Sequence, residues 1–172
     1  MMRRAWAMPT KRTFDCPPIA SLLGRYCTGV VIDPFAGDSG VAAWHTNDLN
    51  PATKAKSHLP AEEFLENLLE RGVVADVVLF DPPYSPRQIA ECYSAAGLTA
   101  RMKDTQNASL YARCRKLIDQ LLKPGGYVLS FGWNSCGMGK SWERVETLLV
   151  AHGGAHNDTI CVVDRKPEET SK

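Results

Sequence analysis

Two short stretches of this sequence join acidic side chains to stiff or glycine-bearing turns. The first is Asp81-Pro82-Pro83-Tyr84, directly after the apolar run Val77-Val78-Leu79-Phe80. Two successive prolines remove two backbone donors and stiffen the chain, so a carboxylate and an aromatic ring stand in set relative positions. The second is Asp33-Pro34-Phe35-Ala36-Gly37-Asp38-Ser39-Gly40, directly after Val30-Val31-Ile32. Glycine lets the backbone of such a turn approach a ligand closely, and the turn's amides can meet a carboxylate. The turn is not the G-x-G-x-x-G fingerprint, so no phosphate needs cradling. A third acid, Asp48, follows a further short run and suits acceptance of two ribose hydroxyls by one carboxylate. Each stretch also fits a purely structural strand-ending turn.

The elements that must hold these residues can be read around them. Residues 77–80 are unbroken apolar with two β-branched positions, the pattern of a strand buried on both faces. The carboxyl ends of such strands are where open α/β sheets hold ligands. Residues 30–32 read as a second strand and 41–46 as a third. Their connection is short, whereas a full crossover usually takes a dozen or more residues, so its helix is expected to be a single turn or irregular. Residues 57–60 read as the end of a further strand. Residues 62–69 have helical apolar spacing and an acidic first turn, closed by Arg71-Gly72. A short helix is expected after Pro18, ending near Gly24. Ser85-Pro86 reads as an N-cap and first-turn proline, with Gly97 as the stop. A longer helix covers 110–122, ended by Lys123-Pro124-Gly125-Gly126. Residues 127–133 read as the next parallel strand, with a glycine-containing loop over 134–140. Residues 141–150 admit a helix, but a strand over 145–150, a turn over 152–156 and a strand over 159–163 fit better.

The 172 residues suffice for one domain with a substantial core, and 44% hydrophobic with 23% charged content is ordinary for a soluble globular protein. The formal net charge of +1 does not mark a nucleic-acid binder, so any basic surface must be local. No apolar run reaches membrane-spanning length, and no apolar signal core follows the first arginines, so a cytoplasmic protein is expected, with no membrane association. Residues 1–12 read as a flexible basic arm, 13–166 as the single domain and 167–172 as a tail. Among the six cysteines there is no C-x-x-C pair, and none joins a histidine at zinc-finger spacing. His152 and His156 lack a third ligand in sequence, so no metal site is expected.

Asp81-Pro82-Pro83-Tyr84 resembles the catalytic motif of S-adenosylmethionine-dependent amino-methyltransferases, and Asp33-Pro34-Phe35-Ala36-Gly37 resembles their cofactor motif. The blocks over 13–19, 46–51, 81–87, 130–134 and 152–160 look like small phage-type adenine-specific DNA methylases. The resemblance implies a class I methyltransferase-like (Rossmann-like) α/β fold, a mostly parallel sheet ending in an antiparallel hairpin; the reduced first helix that the short connection requires is a departure from it. It implies that Asp81 and the Pro82 carbonyl accept hydrogen bonds from an exocyclic amine, that Pro83 stiffens the elbow, and that Tyr84 stacks on the base. It assigns S-adenosylmethionine to Thr13, Phe14, Asp33, Pro34, Phe35, Ala36, Gly37, Ser39, Asn47, Asp48 and Leu49. Pro60 stands where relatives carry an Asp near the cofactor's adenine, which leaves a backbone carbonyl, Glu62 or no polar group to face that amine. Substrate contacts are expected from Ser85, Arg87, Gln88, Arg101, Lys103, Trp133 and Asn134. The implied reaction is methyl transfer to adenine N6 in DNA. The alternatives are an RNA base or another amine on the same scaffold, or a non-catalytic cofactor- or DNA-binding subunit. At this length a separate target-recognition domain is not expected, so a partner subunit or a second copy is one way to supply recognition.

Overall fold

The computed structural model describes residues 1–99, 107–154 and 156–168. Among these residues the fold is α/β, built on a seven-stranded sheet with four α-helices, and is compatible with a Rossmann-like arrangement. The strands are β1 (Met2–Trp6), β2 (Val31–Asp33), β3 (His45–Thr46), β4 (Ala75–Phe80), β5 (Leu122–Gly132), β6 (Glu143–Ala151) and β7 (Thr159–Arg165). Their order across the sheet is β1-β6-β7-β5-β4-β2-β3. β7 is antiparallel to both its neighbours, and every other pairing is parallel. The helices are α1 (Pro17–Tyr26), α2 (Ala61–Glu70), α3 (Pro86–Ala95) and α4 (Asn107–Leu121).

Strand alternation divides the core between two faces. Val31, Val77, Leu79, Leu129 and Phe131 point to the side covered by α1, where Ile19, Leu22 and Leu23 meet them. Ile32, Val78, Phe80 and Val128 point to the opposite side, against Phe64, Leu65 and Leu68 of α2 and Cys114 and Ile118 of α4. Both faces of β4 are therefore covered, which is why its sequence is a continuous apolar run rather than an alternating one.

Several expectations need correction. The N-terminal segment is not a free arm over its first residues, because β1 adds to the sheet edge in register with residues 147–151 of β6. Arg3 of β1 donates to Glu146, which gives this basic segment an acidic anchor. β3 is only two residues long, since 41–44 run through turns, and the expected next strand survives as a single Asn47–Ser57 bridge. No helix is assigned between β2 and β3. α1 continues through Gly24 to Tyr26, and β5 begins at Leu122, earlier than its apolar pattern starts. The choice at 141–150 falls to the strand, and the hairpin with β7 forms. No helix among the described residues is long and apolar enough to cross a membrane.

Glu146 also ties the two sides of this arrangement. It is 5% exposed on β6 and accepts from Arg25 Nη2 at 2.7 and 2.8 Å and from the Tyr26 hydroxyl at 3.1 Å. Removing its charge leaves the Arg25 guanidinium without its carboxylate. Glu146→Gln is expected to cost about 2 kcal/mol of stability, read as a lower urea midpoint.

Candidate functional site

The carboxyl ends of β2, β3 and β4 lie side by side, and each delivers one carboxylate. Asp33 is the last residue of β2 and is fully buried. Its Oδ1 accepts the Phe35 N–H at 3.2 Å, and its Oδ2 has no partner among the described residues. Burial, with Asp81 and Asp48 adding negative charge nearby, pushes its pKa up to about 8. Asp48 follows β3. Its Oδ2 accepts the Gly37 N–H at 3.0 Å and its Oδ1 the Asn50 N–H at 2.8 Å. Gly37 reaches that geometry with φ at +51°, in the left-handed region that favours glycine. Each Asp48 oxygen keeps a second lone-pair site for a ligand. Asp81 follows β4 and accepts a hydrogen bond from the Tyr84 hydroxyl, with the Thr13 hydroxyl close by. Burial raises its carboxyl above the usual range, and the two hydroxyls pull it back down.

Two cavities meet at Phe35 in front of these acids. One, of about 550 Å³, is lined by Thr13, Phe14, Ala36, Gly37, Ser39 and Asp81. The other, of about 210 Å³, is lined by Pro34, Asn47, Asp48, Leu49, Pro60 and Glu62, with Pro83 opposite. Of the residues expected to hold the cofactor, all but Asp33 line one or the other of these two cavities. Their roles differ in detail. Asn47 is buried, and its amide donates to the carbonyls of Pro34 and Leu59 at 3.2 and 2.9 Å while its oxygen accepts the Leu59 N–H. With both amide hydrogens spent on the loops, its part is to hold the cleft's walls. Phe14 packs its ring 4.9 Å from that of Phe131, so it builds the floor.

Tyr84 reaches Asp81 from outside these two cavities. Its N–H donates to Gln88 Oε1 at 2.7 Å, and its ring centroid lies 5.3 Å from that of Trp133, which is 46% exposed. A Cβ on Gly132 would stand 3.3 Å from the Tyr84 ring, so the absence of a side chain there lets the ring lie against the end of β5. Tyr84, Gln88 and Trp133 share a third cavity of about 300 Å³ with Thr10, Thr13 and His156. Burial and the Asp81 carboxylate push the Tyr84 hydroxyl far up, so it stays protonated and serves as a donor.

The expected substrate contacts divide. Gln88 and Trp133 face the third cavity, and Asn134 lines a small one behind Tyr84. The Ser85 hydroxyl is spent as the N-cap of α3, accepting the Gln88 N–H at 3.2 Å. Arg87 points away into solvent and pairs with Glu91 one turn on, so it is not brought to the cleft. Arg101 and Lys103 lie outside the described residues. His152 is no ligand-in-waiting, because its ring nitrogens meet the Ala7 carbonyl and the Thr159 hydroxyl. Sequence reasoning missed Tyr111, whose hydroxyl donates to the Pro83 carbonyl and props the proline elbow from α4. It also missed Arg115 and Ser130 beside it. The legible signal was an arginine flanked by Cys114 and Ile118 on the apolar stripe of α4.

Fold and site together define an open α/β sheet with a ligand cleft at the carboxyl ends of adjacent parallel strands. The chain matches no protein-family model and no curated protein.

Proposed function

We propose that this protein transfers a methyl group from S-adenosylmethionine to the exocyclic amine of a nucleobase, adenine N6 in DNA. The observation that carries this reading is the placement of Asp33, Asp48 and Asp81 at the carboxyl ends of three neighbouring parallel strands, Asp48 lining the smaller and Asp81 the larger of two cavities that share Phe35, with Asp33 buried and none of the three in a salt bridge among the described residues. Three such carboxylates suit a ligand that brings positive charge and hydroxyls. The orphaned Oδ2 of Asp33 fits the cofactor's ammonium, and the open lone pairs of Asp48 fit a ribose diol. The reversed β7 between β5 and β6 supports a class I methyltransferase-like scaffold, from which the helix-free link between β2 and β3 departs.

S-adenosylmethionine, when bound, supplies a methyl group already activated by its sulfonium. The chain's own residues hold the acceptor. Asp81 Oδ1 and the Pro82 carbonyl orient the amine, and the carboxylate stabilises positive charge as it develops on nitrogen. The raised basicity of the buried Asp81 suits it to that charge. Tyr84 and Trp133 offer aromatic surface to a base taken out of its stack. The Tyr84 hydroxyl occupies Asp81 Oδ1 until an amine displaces it. Most of the acceleration comes from alignment in a preorganised cleft.

The test is incubation with labelled S-adenosylmethionine and duplex DNA, single-stranded DNA or RNA, followed by nucleoside mass analysis. N6-methyladenine in DNA is the expected product. Label in RNA alone would reject DNA as the substrate, and cofactor binding without transfer to any of them would leave a non-catalytic subunit.

A further inference from the structure

Three side-chain atoms among the described residues are buried without a hydrogen-bond partner: Asp33 Oδ2, Arg115 Nε and Ser130 Oγ. The first belongs to the cofactor cleft. The other two line one cavity of about 40 Å³, walled by Pro82, Tyr84, Tyr111, Phe131 and Asn134. That volume holds a few waters at most, far less than a base. Tyr84 is the partition, since it also lines the open cavity of about 300 Å³ with Trp133. Arg115 stands one turn after Tyr111 on α4, between the buried Cys114 and Ile118. Ser130 sits in the middle of the sheet, paired with Phe80 and Val162 and 9% exposed. A charged donor and a hydroxyl left unsatisfied in adjacent positions cost stability, and such groups are rare in native structures unless something else satisfies them.

We infer that Arg115 and Ser130 form a recognition subsite for the ring edge of the amine-bearing substrate, reading a hydrogen-bond acceptor that lies next to the amine. This rests on the methyl-transfer reading above. Asp81 and the Pro82 carbonyl only accept, whereas the guanidinium only donates. The ligand that complements an accepting wall beside a donating one carries an amine next to an unprotonated ring nitrogen. Adenine offers N6 beside N1 and N7, and cytosine offers N4 beside N3. Guanine sets its amine between the protonated N1 and the unprotonated N3, so only its N3 side fits. A phosphodiester needs room for two sugar arms, and the walls of Phe80, Phe131, Pro82 and Tyr111 leave none. The Tyr84 hydroxyl is held by Asp81 itself. An amine that takes over Asp81 frees the phenol, and the ring that separates the two cavities can then pivot to open the smaller one while keeping a face to the base.

The experiment compares unaltered protein, Arg115→Met, Arg115→Lys and Ser130→Ala. Substrates are oligonucleotides in which every adenine is kept, or replaced by 1-deazaadenine or by 7-deazaadenine. Initial rates at low substrate give kcat/KM, calorimetry gives cofactor affinity, and thermal melting checks the fold. Arg115→Met is expected to lower kcat/KM on adenine about thirtyfold and Ser130→Ala about fivefold, with cofactor affinity unchanged. Arg115→Lys recovers part of the loss. One deaza substrate is slow with the unaltered protein, and Arg115→Met slows it no further. Ser130→Ala melts no lower than the unaltered protein, because the hydroxyl it deletes has no partner. Equal slowing of all three substrates by Arg115→Met, or no slowing of any, overturns the inference while leaving methyl transfer intact. If Arg115→Met does not fold, Ser130→Ala decides by the same comparison. Failure of the unaltered protein to methylate any nucleobase removes the methyl-transfer reading and this inference together.

Discussion

Asp81→Ala is expected to lower methyl transfer by a hundred- to a thousandfold while cofactor affinity stays within a few-fold. The carboxylate sits at the junction of two walls. It lines the larger of the two joined cavities, and it anchors the Tyr84 hydroxyl that closes the aromatic side. Deleting it removes the group that orients the amine and meets its developing charge. The deletion leaves Asp33, Asp48 and the Gly37 turn untouched, and these are the groups assigned to the cofactor. Single-turnover rates with saturating cofactor, beside calorimetric titration, separate the two effects. Equal losses in binding and rate would place Asp81 in the cofactor's site, and full activity would deny it any part in the chemistry.

Asp33→Asn should change the pH dependence of the protein as much as its affinity. In the ligand-free protein the carboxyl has its pKa raised to about 8 by burial and by the neighbouring Asp81 and Asp48. The folded state therefore holds a proton that the unfolded chain releases near pH 4. Stability supplied by that proton is present below pH 4 and is lost as the pH rises to about 8. A cationic ligand facing Oδ2 favours the ionised form instead. S-adenosylmethionine binding should release up to one proton, and affinity should rise by up to tenfold per pH unit from pH 6 to about 8. Asn imitates the protonated acid and cannot ionise. The variant should keep its stability at pH 7, lose about a hundredfold in affinity, and show a flat affinity over the same range. Calorimetry in buffers of different ionisation enthalpy counts the proton directly. A pH-dependent affinity that survives in Asp33→Asn would assign the proton elsewhere.

The cleft was readable from sequence where local stiffness sets geometry. Asp81-Pro82-Pro83 and the Gly37 turn carry their conformations in their own covalent structure, and Ser85-Pro86 starts a helix as its residue types require. The readings that went astray concern what a polar side chain does once it is placed. Ser85 looks the same in sequence whether it caps a helix or greets a substrate. Asn47 likewise gives no sign that three groups from two loops converge on its amide. Arg115 and Ser130 meet only because α4 packs on the face of the sheet that includes β5, a relation between residues that local pattern does not carry. β1 escaped notice for a related reason. Met2-Arg3-Arg4-Ala5-Trp6 has no strand-like alternation of its own and is extended because β6 offers an edge.

That last pairing bears on how the chain assembles. Met2 lies against Thr147 and Trp6 against Ala151, so β1 docks on a strand that follows it far along the chain. On a ribosome it must wait for all the residues between, and long-range parallel pairing of this kind is slow to form. Until it arrives, β6 presents a bare row of peptide groups to any other nascent chain. Yield on expression should therefore respond to growth temperature and to chaperone supply more than the stability of the finished protein would suggest.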